Sequence, residues 1–194
     1  MKHEVTTLNT KKTLAASLKK IVANKPFSKV SVSEIIQDCG VNRKTFYYHF
    51  TDVYDLLKWT LEQEAIAVVA QFDLIADYEE VVYFVMDYVE ENNRFLRNVY
   101  DSMGRDTLKQ VFFQDFVQIM ENLIRQSEAM QQLEVSDDYR KFLAAFYTEA
   151  LVGVLVDWIV SYQNRDRQKT LHYLRLVLQQ SIPNALTAGA AGKL

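Results

Sequence analysis

Within eight positions, Asn42-Arg43-Lys44-Thr45-Phe46-Tyr47-Tyr48-His49, the chain places a guanidinium, an ammonium, an aliphatic hydroxyl, two phenols and an imidazole. These groups recognise molecules more readily than they make or break bonds. Arg43 and Lys44 suit guanine edges or phosphate oxygens, and Thr45 offers a hydroxyl or a methyl. Tyr47, Tyr48 and His49 can donate to phosphates or pack on a sugar backbone. Upstream, Ser31 and Ser33 open a short helix whose N-terminal N–H groups suit another phosphate.

Other chemistries find little support. The three histidines, His3, His49 and His172, are scattered and have no metal-ligand spacing, and Cys39 lies on an apolar face where a thiol is inert. There is no glycine-rich phosphate loop and no Gly-x-Ser-x-Gly elbow. Acidic pairs such as Glu79–Glu80 and Glu90–Glu91 read as surface charge at helix ends. No catalytic residue, metal or cofactor is expected, and an enzyme is the disfavoured class.

The recognition residues need a rigid support. Leu14, Leu18, Ile21 and Val22 have the spacing of one helical face. After Pro26, Ser31-Val32-Ser33-Glu34 has the form of a capping box opening a second helix. That helix buries Val32, Ile35, Ile36 and Cys39, and Gly40 can take the left-handed conformation that ends it. Asn42 is a good N-cap for a very short third helix, which Phe46 and Phe50 anchor while Lys44, Tyr47 and Tyr48 share another face. A longer helix then runs from Asp52 to about Phe72. Two short helices around a glycine-containing turn, preceded by a longer one, form a helix-turn-helix pattern, whose second short helix enters a DNA major groove.

Composition agrees with this reading once it is divided. The 194 residues are 49% hydrophobic and 24% charged, with only five Gly and two Pro, which favours long helices with short connections. Net charge is −3, seemingly against a nucleic-acid partner, yet residues 1–60 carry ten basic and five acidic side chains, while residues 61–194 carry twelve and twenty. A basic module is joined to an acidic body. The lone cysteine and the lack of an opening signal peptide make the cytoplasm the expected compartment.

Beyond residue 73 the chain reads as helix, with breaks near residues 76–79, 91–93, 102–106 and 133–138. The apolar run over residues 143–162 is interrupted by Glu149 and Asp157, which argues for a bundle helix and no membrane contact. Small residues there, Ala144, Ala145, Ala150 and Gly153, let a partner helix approach. Pro183 is expected to end the last helix, and residues 187–194 to form a disordered tail. The division expected is residues 1–52 for DNA binding, 53–186 for effector binding and dimerisation, and the tail.

The segment Cys39-Gly40-Val41-Asn42-Arg43-Lys44-Thr45-Phe46-Tyr47-Tyr48-His49-Phe50 closely resembles the DNA-binding signature of the TetR family, and the resemblance covers about residues 8–58. It implies an all-α, two-domain subunit that dimerises through its last two long helices. The family's DNA-contacting positions fall on Ser33, Asn42, Arg43, Lys44, Thr45, Tyr47, Tyr48 and His49. The chain departs from the pattern at Lys44, often a small residue in the family, and at Val53, where a lysine is frequent. Lys44 is expected to replace part of the missing phosphate contact. Residues 61–194 are more loosely similar to the dihydroxyacetone-kinase operon regulators, some of which respond to a protein partner.

In this family the C-terminal domain usually encloses an inducer pocket. Aromatic candidates for its lining are Trp59, Tyr83, Phe84, Tyr88, Phe95, Tyr100, Tyr147 and Trp158, with core packing the alternative for each. Glu149 joins Trp59, Tyr88, Tyr100 and Tyr147 as a candidate ligand residue, because a carboxylate inside an apolar helix needs a partner. The expectation is a homodimeric DNA-binding regulator, most simply a repressor, whose operator affinity responds to an unidentified small molecule or protein. The alternative is a helical regulator or co-activator controlled by a protein partner without a small-molecule inducer.

Overall fold

A computed structural model of the chain describes residues 2–73 and 76–192, with the side chains of residues 2–5 and Tyr162 outside the description. Among these residues all regular structure is helical: α1 (Lys2–Val22), a 3-10 turn (Phe27–Lys29), α2 (Val32–Cys39), α3 (Arg43–His49) and α4 (Val53–Leu61). A π-helical turn (Glu62–Ile66) and a last α-helical stretch (Ala67–Val69) prolong α4. There follow α5 (Tyr78–Glu91), α6 (Asn93–Met103), α7 (Arg105–Met130), α8 (Asp137–Ser161), a 3-10 turn (Tyr162–Asn164) and α9 (Arg167–Ala191). The all-α expectation agrees, as do the breaks that separate the later helices.

The chain forms two compact units, residues 1–67 with 92–108, and residues 68–91 with 109–194. This is a different division from one at residue 52. Two packing facts explain it. Leu56, Leu57 and Leu61 of α4 are buried with Leu14, Leu18 and Val22 of α1, each contributing about 1.5–3 kcal/mol. After α5 the chain returns to the same unit, where α6 buries Phe95, Leu96 and Val99 and the Asn98 amide donates to the Val22 carbonyl at 2.7 Å.

In the second unit α7, α8 and α9 share a core of Met120, Ile124, Leu143, Ala144, Tyr147, Leu178, Ile182 and Leu186. The Tyr139 hydroxyl donates to the Ala185 carbonyl, and the Tyr147 hydroxyl to Ser181 Oγ, so α8 and α9 run antiparallel. Helix α8 has the length and hydropathy of a membrane span, but 44% of its most apolar window is buried inside the unit, as in a bundle helix.

Two expectations about the C-terminus need correction. Pro183 does not end α9, which continues to Ala191. An interior proline costs about 3 kcal/mol, and burial of Ile182 and Leu186 in the shared core offsets it. Residues 187–191 of the expected disordered tail are therefore helical, and Gly189 lies against the Tyr139 ring, where a Cβ would come within 2.2 Å of Cε1. Lys193 and Leu194 lie outside the described residues. Cys39 is half-buried and not a core residue.

Candidate nucleic-acid interface

Helix α2 is built as its sequence suggests. Glu34 N–H donates to Ser31 Oγ at 3.3 Å while Ser31 N–H donates to Glu34 Oε2 at 3.0 Å, closing the capping box, and Gly40 ends the helix at φ 69°. Hydrogen bonds from Lys25 and Ser31 hold the Glu34 carboxyl down at about 2. The Ser17 hydroxyl, buried in α1, donates to the Ile35 carbonyl at 3.1 Å and fixes α2 on α1.

Helix α3 is only seven residues long and depends on its ends. Asn42 Oδ1 accepts from Lys44 N–H at 2.7 Å and from Thr45 N–H at 3.1 Å. Phe46 and Phe50, with ring centroids 6.0 Å apart, are buried beneath it. With these anchors in place, Arg43, Lys44, Tyr47 and Tyr48 are exposed, and Thr45 and His49 half-buried.

The exposed groups are ordered among themselves. Arg43 Nη1 donates to Ser33 Oγ at 3.1 Å, Nη2 reaches the Tyr47 hydroxyl at 3.5 Å, and the guanidinium carbon lies 5.6 Å from the Tyr47 ring centroid. Ser33 on α2 and Arg43 and Tyr47 on α3 therefore form one cluster. An exposed guanidinium held in this way keeps donors for a planar acceptor edge. Tyr48 packs edge-on against His49, with centroids 4.9 Å apart. Burial, reinforced by the Lys11 ammonium, holds the His49 imidazole below its ordinary range.

Two residues of this unit escaped the sequence reading. Lys11 of α1 lies over the rings of Phe50 at 5.3 Å and Trp59 at 5.5 Å, tying α1 to the end of α3 and to α4. Tyr54, exposed near the start of α4, packs edge-on against Phe27. A lysine that neither belongs to the apolar stripe nor neighbours a cap leaves no local signal. Tyr54 stands next to Val53, the position where the family's lysine is missing, and could have been considered there.

The five ligand candidates do not come together. Trp59 and Tyr100 belong to the N-terminal unit, where Trp59 packs edge-on against Phe50 and Arg97 stacks on Tyr100. Tyr147 is buried in the α7–α9 core. Glu149 is exposed and ion-paired with Lys109, so its helix turns it outward. Tyr88 is half-buried on α5. The C-terminal unit does contain an apolar cavity of about 140 Å³, and none of the five lines it. Its walls come from α5, α7, α8 and α9 and are mainly aliphatic, among them Val81, Val85, Ile119, Leu151 and Leu174. Of the aromatic residues considered from sequence, only Trp158 takes part.

Comparisons with known proteins converge. Residues 16–58 match the family described as bacterial regulatory proteins, tetR family, and residues 76–180 match a transcriptional regulator C-terminal region. The chain is similar to the HTH-type dhaKLM operon transcriptional activator DhaS of Lactococcus lactis subsp. lactis (strain IL1403), 20% identical over 78% of this chain and 80% of the relative. A solved structure of the dihydroxyacetone kinase operon activator DhaS shares the fold, with TM-score 0.63, 19% identity, and coverage of 94% of this chain and 96% of the other. So does NalD, the secondary repressor of the MexAB-OprM multidrug efflux pump in Pseudomonas aeruginosa, with TM-score 0.56, 19% identity, and coverage of 86% and 93%. The chain belongs to the TetR family of transcriptional regulators, which are helix-turn-helix DNA-binding proteins and not enzymes.

Proposed function

We propose that the chain acts in the cytoplasm as a homodimer whose two α3 helices enter successive major grooves of a pseudo-palindromic operator, about 34–36 Å apart along the duplex. An effector in the C-terminal unit then changes operator affinity by binding one conformation better than another. The observation that carries the reading is the Arg43–Ser33–Tyr47 cluster, exposed on a short helix whose other face is anchored by Phe46 and Phe50. Arg43 reads a base edge, Lys44, Tyr47 and Tyr48 serve phosphates, and Ser33 orients Arg43.

An unpartnered apolar face supports the dimer. Phe142 and Phe146 of α8 are 60% and 59% exposed, and both belong to a stacked ladder with Tyr139. On α9, Tyr173, Leu176 and Val177 are also exposed. Exposed aromatic and aliphatic surface on these two helices is of the kind that marks an interaction site. Repression needs only occupancy of the operator, whereas activation also needs a surface for polymerase.

Salt dependence tests the DNA reading. Sequences selected from the source genome by the full-length protein should bind two chains per site, and affinity should fall about a thousandfold between 50 and 200 mM salt if six or more phosphates are contacted. A flat response, or no selected sequence, refutes it. The likeness to DhaS, a transcriptional activator, favours a second reading in which the chain activates transcription, and we propose control by a protein partner as its form. Transcription in vitro that rises only when a second protein is added would establish that reading over repression.

A further inference from the structure

We propose that Lys29, in the turn before α2, is a second phosphate anchor of the DNA-binding module, and that Tyr54 of α4 positions it. This rests on the reading of α3 as the helix that enters the major groove and adds a contact from outside that helix.

Ion pairing sorts the cations of the module. Lys19, Lys20 and Lys25 are paired with Glu64, Asp38 and Glu34, and Lys11 lies over the rings of Phe50 and Trp59. Lys12, Lys29, Arg43 and Lys44 make no ion pair among the described residues. Lys12 shares a groove with Asp38 at the C-terminal end of α2. Lys29 is exposed at the other end, four residues before Ser33, which accepts the hydrogen bond from Arg43. Four residues span at most about 13–14 Å, close to the roughly 12 Å width of a major groove. Lys44 follows Arg43 on α3 and Lys29 precedes α2, so the base-reading cluster has a cation on the side of each helix, which suits the two phosphate strands that border a groove.

The turn that carries Lys29 is fixed from two directions. Lys29 N–H donates to the Pro26 carbonyl and Val30 N–H to the Phe27 carbonyl, both at 3.0 Å, which closes the 3-10 turn. Phe27 is buried, and the Tyr54 ring packs on it edge to face, with centroids 4.9 Å apart and planes at 88°. Tyr54 is itself exposed, and its hydroxyl makes no hydrogen bond among the described residues. Asp52 and Asp55, beside it in sequence, accept from backbone N–H groups at the start of α4 and would repel a phosphate from that hydroxyl. What Tyr54 contributes is therefore its contact with Phe27, and the phosphate falls to the ammonium on the same turn.

The test uses the full-length protein and the selected operator, with affinity measured between 50 and 200 mM salt. Lys29→Gln should keep the melting temperature and weaken binding to the operator and to all its single-base-pair variants alike. It should also reduce the slope of log affinity against log salt by about 1.8, for one phosphate lost per subunit of the dimer, so that the loss across this salt range shrinks about twelvefold. Lys29→Arg keeps the charge and should keep the slope. Tyr54→Ala should weaken operator binding by about two- to tenfold, the worth of an aromatic pair, while Tyr54→Phe should not. In a Lys29→Gln background, Tyr54→Ala should cost nothing more, because the two residues act through one contact. An unchanged slope in Lys29→Gln, or an altered preference across the single-base-pair variants, overturns the anchor. A Tyr54→Ala loss of equal size in both backgrounds overturns the positioning role. If the unaltered protein binds no operator, or binds it independently of salt, the DNA reading itself fails and takes the anchor with it.

Discussion

Asn42 is the residue whose two roles can be separated most cleanly. Family resemblance assigns it to DNA contact, while the structure commits its Oδ1 to the N–H groups of Lys44 and Thr45, at 2.7 and 3.1 Å. Asn42→Ala removes the one acceptor shared by both N–H groups at the start of a seven-residue helix. Because the site is exposed, water takes over the freed donors, and the loss should be that of an ordinary cap, about 1 kcal/mol. For a chain of this size, that lowers the melting temperature by about 2–4 °C. Phe46 still anchors α3, so operator affinity should fall by no more than the same free energy, about fivefold. Asn42→Ser restores the cap and should recover both quantities. Asn42→Asp also caps, so stability should recover, but its charge faces the phosphates and affinity should drop. Thermal melting and fluorescence anisotropy on the three variants give the result. An Asn42→Ala protein with an unchanged melting temperature and abolished binding would refute the capping role.

Three further outcomes follow from packing and charge. Gly189→Ala places a Cβ 2.2 Å from Tyr139 Cε1, and the ring is held by its hydroxyl on the Ala185 carbonyl, so denaturant unfolding should show a loss of about 1–3 kcal/mol. No loss would mean that residues near 189 do not pack on α8. Phe146→Glu charges the exposed aromatic ladder and should turn the dimer to monomer in sedimentation; an unaltered dimer places the interface elsewhere. Glu128 accepts hydrogen bonds from Arg140 and from Val135 N–H, which hold its carboxyl below the ordinary range. A depressed folded-state pKa contributes stability above the unfolded value and loses it as pH falls through the folded one. Glu128→Gln should therefore cost about 3 kcal/mol at neutral pH and flatten the acid limb of the stability profile, and an unchanged acid limb would exclude this pair as its source.

The local parts of the recognition module were legible because each rests on neighbours in sequence. Ser31 and Glu34 cap one helix, Gly40 ends it, Asn42 starts the next, and Phe46 and Phe50 bury one side of it. What depends on distant packing was not legible. Pro183 looks like a terminus until the burial of Leu186 is known. Trp59 and Tyr100 look like pocket residues until α4 and α6 are found in the N-terminal unit. Tyr147 fills the core, and Glu149 turns outward to Lys109. Aromatic residues do not mark the cavity, which is walled mainly by valine, leucine and isoleucine brought together from four helices.

The most direct measurement is the affinity of Arg43→Ala for the selected operator and for a panel of its single-base-pair variants. If the guanidinium held by Ser33 and Tyr47 reads a base, the substitution should cost about 1–3 kcal/mol on the operator and flatten discrimination at one base pair per half-site. Unchanged affinity and unchanged preference across the panel would contradict α3 as the reading helix.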